Sequence, residues 1–388
     1  MTAAVAMLDL PAADGSLVPY TMGEPRAFTR PSGAARTRVA FAAAHVVPDP
    51  FAERSTSSVL DWDTTLAFRR HLWSYGLGVA EAMDTAQRGM GLEWETTREL
   101  IRRSGAEARA QGGLIACGAG TDQLEPGPAS LDRVIAAYEE QLAVVAEAGA
   151  APILMASRQL AASAKGPEDY AKVYGRLLGQ LDRPAILHWL GPMFDPALEG
   201  YWGTSDLDAA ADAVLAIITE HEAKVDGIKV SLLDADREIA IRRRLPGSVR
   251  LYTGDDFNYP DLIRGDDQGY SDALLGIFDP IAPAAATALH ALDEGDLATY
   301  DEVFSPTVPL ARHIFETPTY YYKTGVVFLA WLSGHQRHFR MVGGLESARS
   351  VPHLVRLFQL ADAAGLLPDP DLAASRMRAW LTVQGVPH

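Results

Sequence analysis

The stretch "VDGIKVSLLD", residues 225–234, is where the fold of this chain is decided. Its first six residues make a short, mostly apolar run of the kind found in strands buried on both faces, yet the fifth is a lysine. Alternation along such a strand puts Ile228 and Val230 on one face, and Gly227 and Lys229 on the other. Taking an ammonium group out of water is costly unless it is paired or deprotonated. Either a carboxylate such as Asp256 answers Lys229 across the strands, or the amine is kept neutral for chemistry. The residues alone leave both open, and Gly227 would leave room beside the lysine stem.

Outward from this run the same rhythm repeats. Apolar runs occur at 39–47, 78–83, 113–118, 151–156, 184–190, 225–230, 249–254 and 272–278. Between them lie segments whose apolar positions recur at three and four residues, at 62–76, 93–111, 130–147, 168–181 and 205–222. Strands alternating with helices predict a parallel sheet covered on both faces. Eight runs predict an α/β fold, a (β/α)8 TIM barrel over residues 38–283. After it the pattern is helical only, at 284–292, 296–312, 319–334, 345–364 and 370–383, giving a C-terminal helical region over 284–388. Residues 1–37 form a short N-terminal extension, where "AADGSLVPY" suggests a hairpin closing the bottom of the barrel.

Composition narrows the function classes. The chain has 388 residues, 48% of them hydrophobic, a formal charge of −16 and a single cysteine, Cys117. So acidic a chain is a poor partner for nucleic acid or an anionic membrane. No run reaches the roughly 18 apolar residues of a membrane span, and "MTAAVAMLDLPAADG" lacks the basic start and apolar core of a secretory signal. A soluble, cytoplasmic protein acting on a small molecule is expected, as a homo-oligomer, either dimer or tetramer. "CGAGTDQ" lacks the spacing of a dinucleotide turn, so no cofactor is expected.

Catalytic groups of a barrel lie at the C-terminal ends of its strands. Here those ends carry His45, then Asp84, Thr85 and Arg88, then Ser157 and Arg158, His188, Lys229 and Ser231, and finally Gly254, Asp255 and Asp256. A desolvated lysine can attack a carbonyl to form a Schiff base that serves as an electron sink. His188 offers proton transfer near neutral pH. Asp255 also suits the N-cap of a helix starting near Phe257. His45, His188, Asp84 and Asp256 have none of the close spacings of a metal site, and no metal is expected.

The stretch from Gly227-Ile228-Lys229 to Gly254-Asp255-Asp256 and on to Gly276 resembles the dihydrodipicolinate synthase/N-acetylneuraminate lyase superfamily. "TPTYYYKTGVVFLAWLSG" (317–334) is similar to that superfamily's N-P-x-P-x-K helix start. The resemblance runs in order from about residue 39 to 366, strongest over 225–276, and describes a divergent, longer branch. It implies that Lys229 is the Schiff-base lysine of a class I lyase, an aldolase or dehydratase. His188, in "LHWLGP", takes the place of the family's tyrosine acid/base.

Where the family reads G-T-T-G-E, this chain reads "MDTAQRG", so only Thr85 remains of the carboxylate site, with Arg88 or Arg158 to supply an anion contact. Asp256 and Ser231 fall where sialic-acid-type lyases contact substrate hydroxyls. These two positions suggest a polyhydroxylated, sugar-derived substrate, and the resemblance as a whole implies a sugar-derived keto compound or a 2-oxo acid. A metal-assisted sugar isomerase or epimerase on the same barrel, or an inactive small-molecule-binding barrel, are the alternatives. "HQRHFR" (335–340) reads as a solvated or subunit-facing basic turn, and "TYYYK" (319–323) as packing.

Overall fold

The computed structural model describes residues 6–12, 14–53 and 58–386. Eight parallel strands close a barrel, each pairing with the next in chain order and the last with the first. They are β3 (Ala40–Ala43), β4 (Gly78–Glu81), β5 (Ile115–Ala119), β6 (Ala151–Leu154), β7 (Ala185–Leu190), β8 (Val225–Ser231), β9 (Arg250–Thr253) and β10 (Asp272–Leu275). Around them run α1 (Trp62–Ser74), α2 (Trp94–Gln111), α3 (Leu131–Glu147), α4 (Arg158–Ser163), α5 (Pro167–Gln180), α6 (Leu207–Glu220), α7 (Ala235–Arg242) and α8 (Tyr259–Arg264). The longer outer helices lay apolar stripes on the outer strand faces, and this layer and the C-terminal helices form one continuous core.

The inner face packs separately, around Phe41, Ala43, Ala80, Ala116, Ile153, Ile186, Tyr252 and Leu274. These side chains fill the lower barrel. Gly227 serves this packing rather than leaving room for substrate: a Cβ there would lie 2.6 Å from the Tyr252 ring.

The C-terminal region comprises α9 (Ala282–Asp293), α10 (Leu297–Phe304), α11 (Thr307–Ile314), α12 (Tyr322–Leu332), α13 (Val351–Ala363) and α14 (Pro370–Val383). The single helix expected over 296–312 is split at Ser305-Pro306, because a proline ring removes a donor and clashes with the preceding turn. Every residue of α12 is buried.

At the N-terminus, β1 (Met7–Pro11) and β2 (Leu17–Thr21) do form an antiparallel hairpin. It does not close the barrel's bottom. Tyr20 Oη and the Gly23 N–H both donate to Asp362 of α13, at 2.7 and 3.0 Å, and β1 packs on α13 and α14. The strand-entry end is crossed instead by the following segment, where the N–H groups of Arg36 and Thr37 donate to Asp293 at 2.7 and 2.9 Å.

One buried acid in this frame makes stability depend on pH. Glu238 of α7 accepts from the Thr253 and Ser271 hydroxyls at 2.9 and 2.8 Å. Burial pushes its carboxyl up to about 8, against the pull of those hydrogen bonds. Folding therefore favours the protonated form. The stability this contributes is complete below the unfolded value of 4.5 and lost as pH rises through about 8. Glu238→Gln is expected to raise Tm by an increment that grows from pH 5 to pH 9. Equal Tm values for the two proteins at pH 9 would contradict it.

Candidate active site

Alternation along β8 does turn Lys229 inward. It lies between His188 of β7 and Tyr252 of β9 in the register of the sheet. The residue is 7% exposed, and among the described residues no hydrogen bond or ion pair reaches its Nζ. The carboxylate partner allowed for in the sequence does not form: Asp256 Oδ1 accepts the Ile277 N–H at 2.8 Å instead. Burial lowers the Lys229 pKa, with Asp84 and Asp256 pulling it partly back. Burial also raises Asp256, to about 7, opposed by the Ile277 N–H and by Lys229.

Gly254, just past β9, keeps the lysine stem free. A Cβ there would lie 2.9 Å from Lys229 Cε and 2.8 Å from the Val230 carbonyl, and would run into Ser231 Oγ.

Lys229, Ser231 and Asp256 share one inner chamber with Met83, Asp84, Thr85, Phe194 and Tyr322. Its free volume is about 10 Å³, which is room for about one water molecule. A wider cleft of about 150 Å³ opens beside it, lined by Arg158, Thr121, Asp122, His188 and Asp195. Asp84 and Leu190 border both spaces.

The remaining expected residues divide. Thr85 Oγ1 shares a 2.8 Å hydrogen bond with Tyr322 Oη. His188 is fully buried; its Nε2 lies 3.4 Å from Ser231 Oγ and its Nδ1 has no partner among the described residues. Burial and the neighbouring Lys229 hold its pKa well below the usual imidazole value. Arg158 lines the mouth of the cleft, its Nε bonded to Asp195 at 2.5 Å.

Arg88, Asp255 and His45 are engaged elsewhere, although Arg88 also borders the cleft. Arg88 is spent on Asp122, Gln141 and the carbonyls of Ala82 and Gly118. Asp255 caps the next turn, accepting from the N–H groups of Phe257 and Asn258 at 2.9 and 3.0 Å. His45 bonds Asp279 through Nδ1 at 2.8 Å and Gln336 through Nε2 at 3.2 Å, so both ring nitrogens are taken. Gln336 comes from the "HQRHFR" turn, whose Arg337 and Arg340 are exposed as expected, while its His335 ring lies 4.3 Å from that of His71. His45, His188, Asp84 and Asp256 do not converge as a ligand set.

Two residues at the start of α12 were not singled out in the sequence, and one of them joins the chamber. Tyr322 brings its hydroxyl into the chamber. Lys323 is buried, with Nζ over the rings of Tyr322 and Tyr320 at 4.5 and 4.9 Å. Burial lowers its pKa to about 8, while Asp84 and Asp195 oppose the shift. The signal was a lysine in the first turn of an otherwise apolar helix, in "TYYYK". Nothing local says that this helix start faces the barrel mouth.

The family described as "Protein of unknown function (DUF993)" matches residues 8–386. The chain belongs to this family. No curated protein matches this DUF993 member. Solved structures do. Dihydrodipicolinate synthase from Aquifex aeolicus aligns at a TM-score of 0.59 and 14% identity, covering 90% of this chain and 99% of that one. The Thermotoga maritima synthase gives 0.62 and 14%, covering 86% and 100%. A putative dihydrodipicolinate synthetase from Pseudomonas aeruginosa gives 0.64 and 15%, covering 85% and 100%. At such identities the likeness carries the fold. The resemblance read from Gly227 to Gly276 is borne out at that level, in a DUF993 chain longer than these neighbours.

Proposed function

We propose that this protein is a class I lyase that breaks a carbon–carbon or carbon–oxygen bond next to a carbonyl held as an imine on Lys229. The observation that carries the reading is the buried, unpaired amine of Lys229 in a chamber with one raised carboxyl, Asp256. The neutral amine adds to the carbonyl carbon and water leaves, giving an iminium that accepts electrons from the breaking bond. In an aldol cleavage a base takes the proton of the β-hydroxyl. The enamine left behind is then protonated, and hydrolysis frees the amine.

Asp256 suits the proton transfer, because a carboxyl near 7 exchanges protons at neutral pH. His188, held neutral beside Lys229, serves to keep the Ser231 hydroxyl in place, and Thr85 with Tyr322 faces the substrate from the other side. The Arg158 guanidinium at the mouth suits a carboxylate or another anionic end. The substrate class is a small hydroxylated carbonyl compound, sugar-derived or a 2-oxo acid.

Incubation with a panel of 2-oxo acids and keto-sugars, followed by borohydride, tests the reading. A reduced adduct mapped to Lys229 supports it, and no adduct with any member of a panel that includes pyruvate counts against it. With a substrate in hand, kcat/KM is expected to rise with pH through about 7 as Asp256 ionises. Asp256→Asn should remove that limb and cut kcat by roughly 10²–10⁴-fold. A profile with the limb intact in the variant would assign the proton transfer elsewhere.

A further inference from the structure

A second group of chemistry-bearing side chains lies away from the barrel mouth, on the C-terminal helices. His313 is in the last turn of α11, Glu316 follows that helix, and His353 is in the first turn of α13. We propose that these three residues form a binding site for a divalent transition-metal ion of the zinc class. The assignment is independent of the reading of Lys229.

The donor atoms already converge. His313 Nδ1 is 3.2 Å from one oxygen of Glu316 and His353 Nδ1 is 2.9 Å from the other. One ligand atom from each of the three residues lies within 4.8 Å of the other two. Zinc bonds to nitrogen and oxygen of about 2.0–2.2 Å at tetrahedral angles separate ligand atoms by about 3.4 Å. The two His–Glu separations, 3.2 and 2.9 Å, are a few tenths of an ångström short of that spacing. Two imidazoles and a carboxylate are donors that zinc, nickel and copper accept readily.

The surroundings favour an ion over a simple hydrogen-bonded triad. His313 Nε2 lies 2.9 Å from the backbone carbonyl of His353, so it carries the proton and donates it there. In the neutral ring Nδ1 then presents a lone pair towards the Glu316 carboxylate, acceptor against acceptor. Either a further proton or a cation must lie between them. A ligating histidine whose other nitrogen donates to a carbonyl is the usual outer-shell arrangement of metal sites.

The His313 and His353 rings stack at 4.1 Å and 21°, so protonating both would set two like charges face to face. Glu316 is 48% exposed on its side chain, which gives the ion a route in and leaves a position for water. Arg349 fixes the loop by donating to the carbonyls of Glu316 and Pro318 at 2.8 and 3.0 Å. Its charge opposes a cation, and the Glu316 carboxylate offsets it.

The position gives the ion a consequence. Phe315, next to Glu316, stacks on Tyr322 at 4.4 Å and 16°. An ion joining Glu316 to α11 and α13 would hold the segment that delivers Tyr322 to the inner chamber.

The test uses the full chain without an affinity tag, stripped with a chelator and then freed of it. Zinc alone is titrated by calorimetry, with bound metal counted by elemental analysis. One equivalent is expected to bind saturably and to raise Tm by several degrees. His313→Gln and Glu316→Gln are each expected to weaken binding at least tenfold while keeping the metal-free Tm. Should either variant fold poorly, the anomalous zinc signal in crystals of the unaltered protein decides the matter, and a peak between the three residues is expected. No saturable binding, binding undiminished in both folded variants, or a peak elsewhere would overturn the assignment.

Discussion

Lys229→Ala is expected to leave a folded protein that gives no borohydride adduct and loses turnover on the order of 10³-fold or more. The size of the effect follows from the lysine's role, since without an amine no imine forms and the electron sink disappears. The expected stability distinguishes this role from a structural one. No ion pair of Lys229 is broken by the substitution, and a desolvated amine is removed. Tm should therefore hold or rise. If Lys229 instead braced strands β8 and β9 through Asp256, the same substitution would lower Tm and leave any turnover intact. Measuring both on one preparation separates the two cases. Lys229→Arg adds a control, because it keeps a charge in the chamber while offering no nucleophile.

The second large effect is on folding. Arg69 of α1 and Glu81 of β4 are both wholly buried and joined by two hydrogen bonds of 2.8 Å. The guanidinium also reaches the carbonyls of His45 and Thr65, and Ser104 Oγ of α2 donates to Glu81 at 2.6 Å. This network ties two helices to the outer face of the barrel and holds the end of β3. Removing one partner strands the other charge without water, which costs about 3–5 kcal/mol. Glu81→Ala and Arg69→Ala are each expected to lower stability by that amount in urea unfolding. The pair Arg69→Met with Glu81→Leu should recover most of it, since apolar residues of similar volume remove the stranded charge. A loss below about 1 kcal/mol for either single change would mean that the site admits water.

Much of the barrel was legible because its signals are local. Runs with residues buried on both faces, separated by segments of helical spacing, identify strands and helices through contacts no more than four residues apart. The inward direction of Lys229 follows from the same two-residue period, and the structure agrees. Helix ends were read less well where the signal was a single residue, as at Pro306.

The candidate site was only half legible, for a physical reason. Lys229, His188, Ser231, Asp256 and Thr85 lie at strand ends, and closure of the barrel alone brings them near one another. His45, Asp255 and Arg88 stand at equivalent strand ends but are engaged by Asp279 and Gln336, by the next turn, and by Asp122 and Gln141. No spacing in the sequence announces those partners. Tyr322 reaches the inner chamber from far along the chain, and the hairpin docks on Asp362 rather than on the barrel.

Alternation and helical spacing therefore established the barrel and the inward lysine. Only the packing of the C-terminal helices over the strand ends decided which polar groups remain free, because a side chain's chemistry depends on what desolvates it and what it bonds.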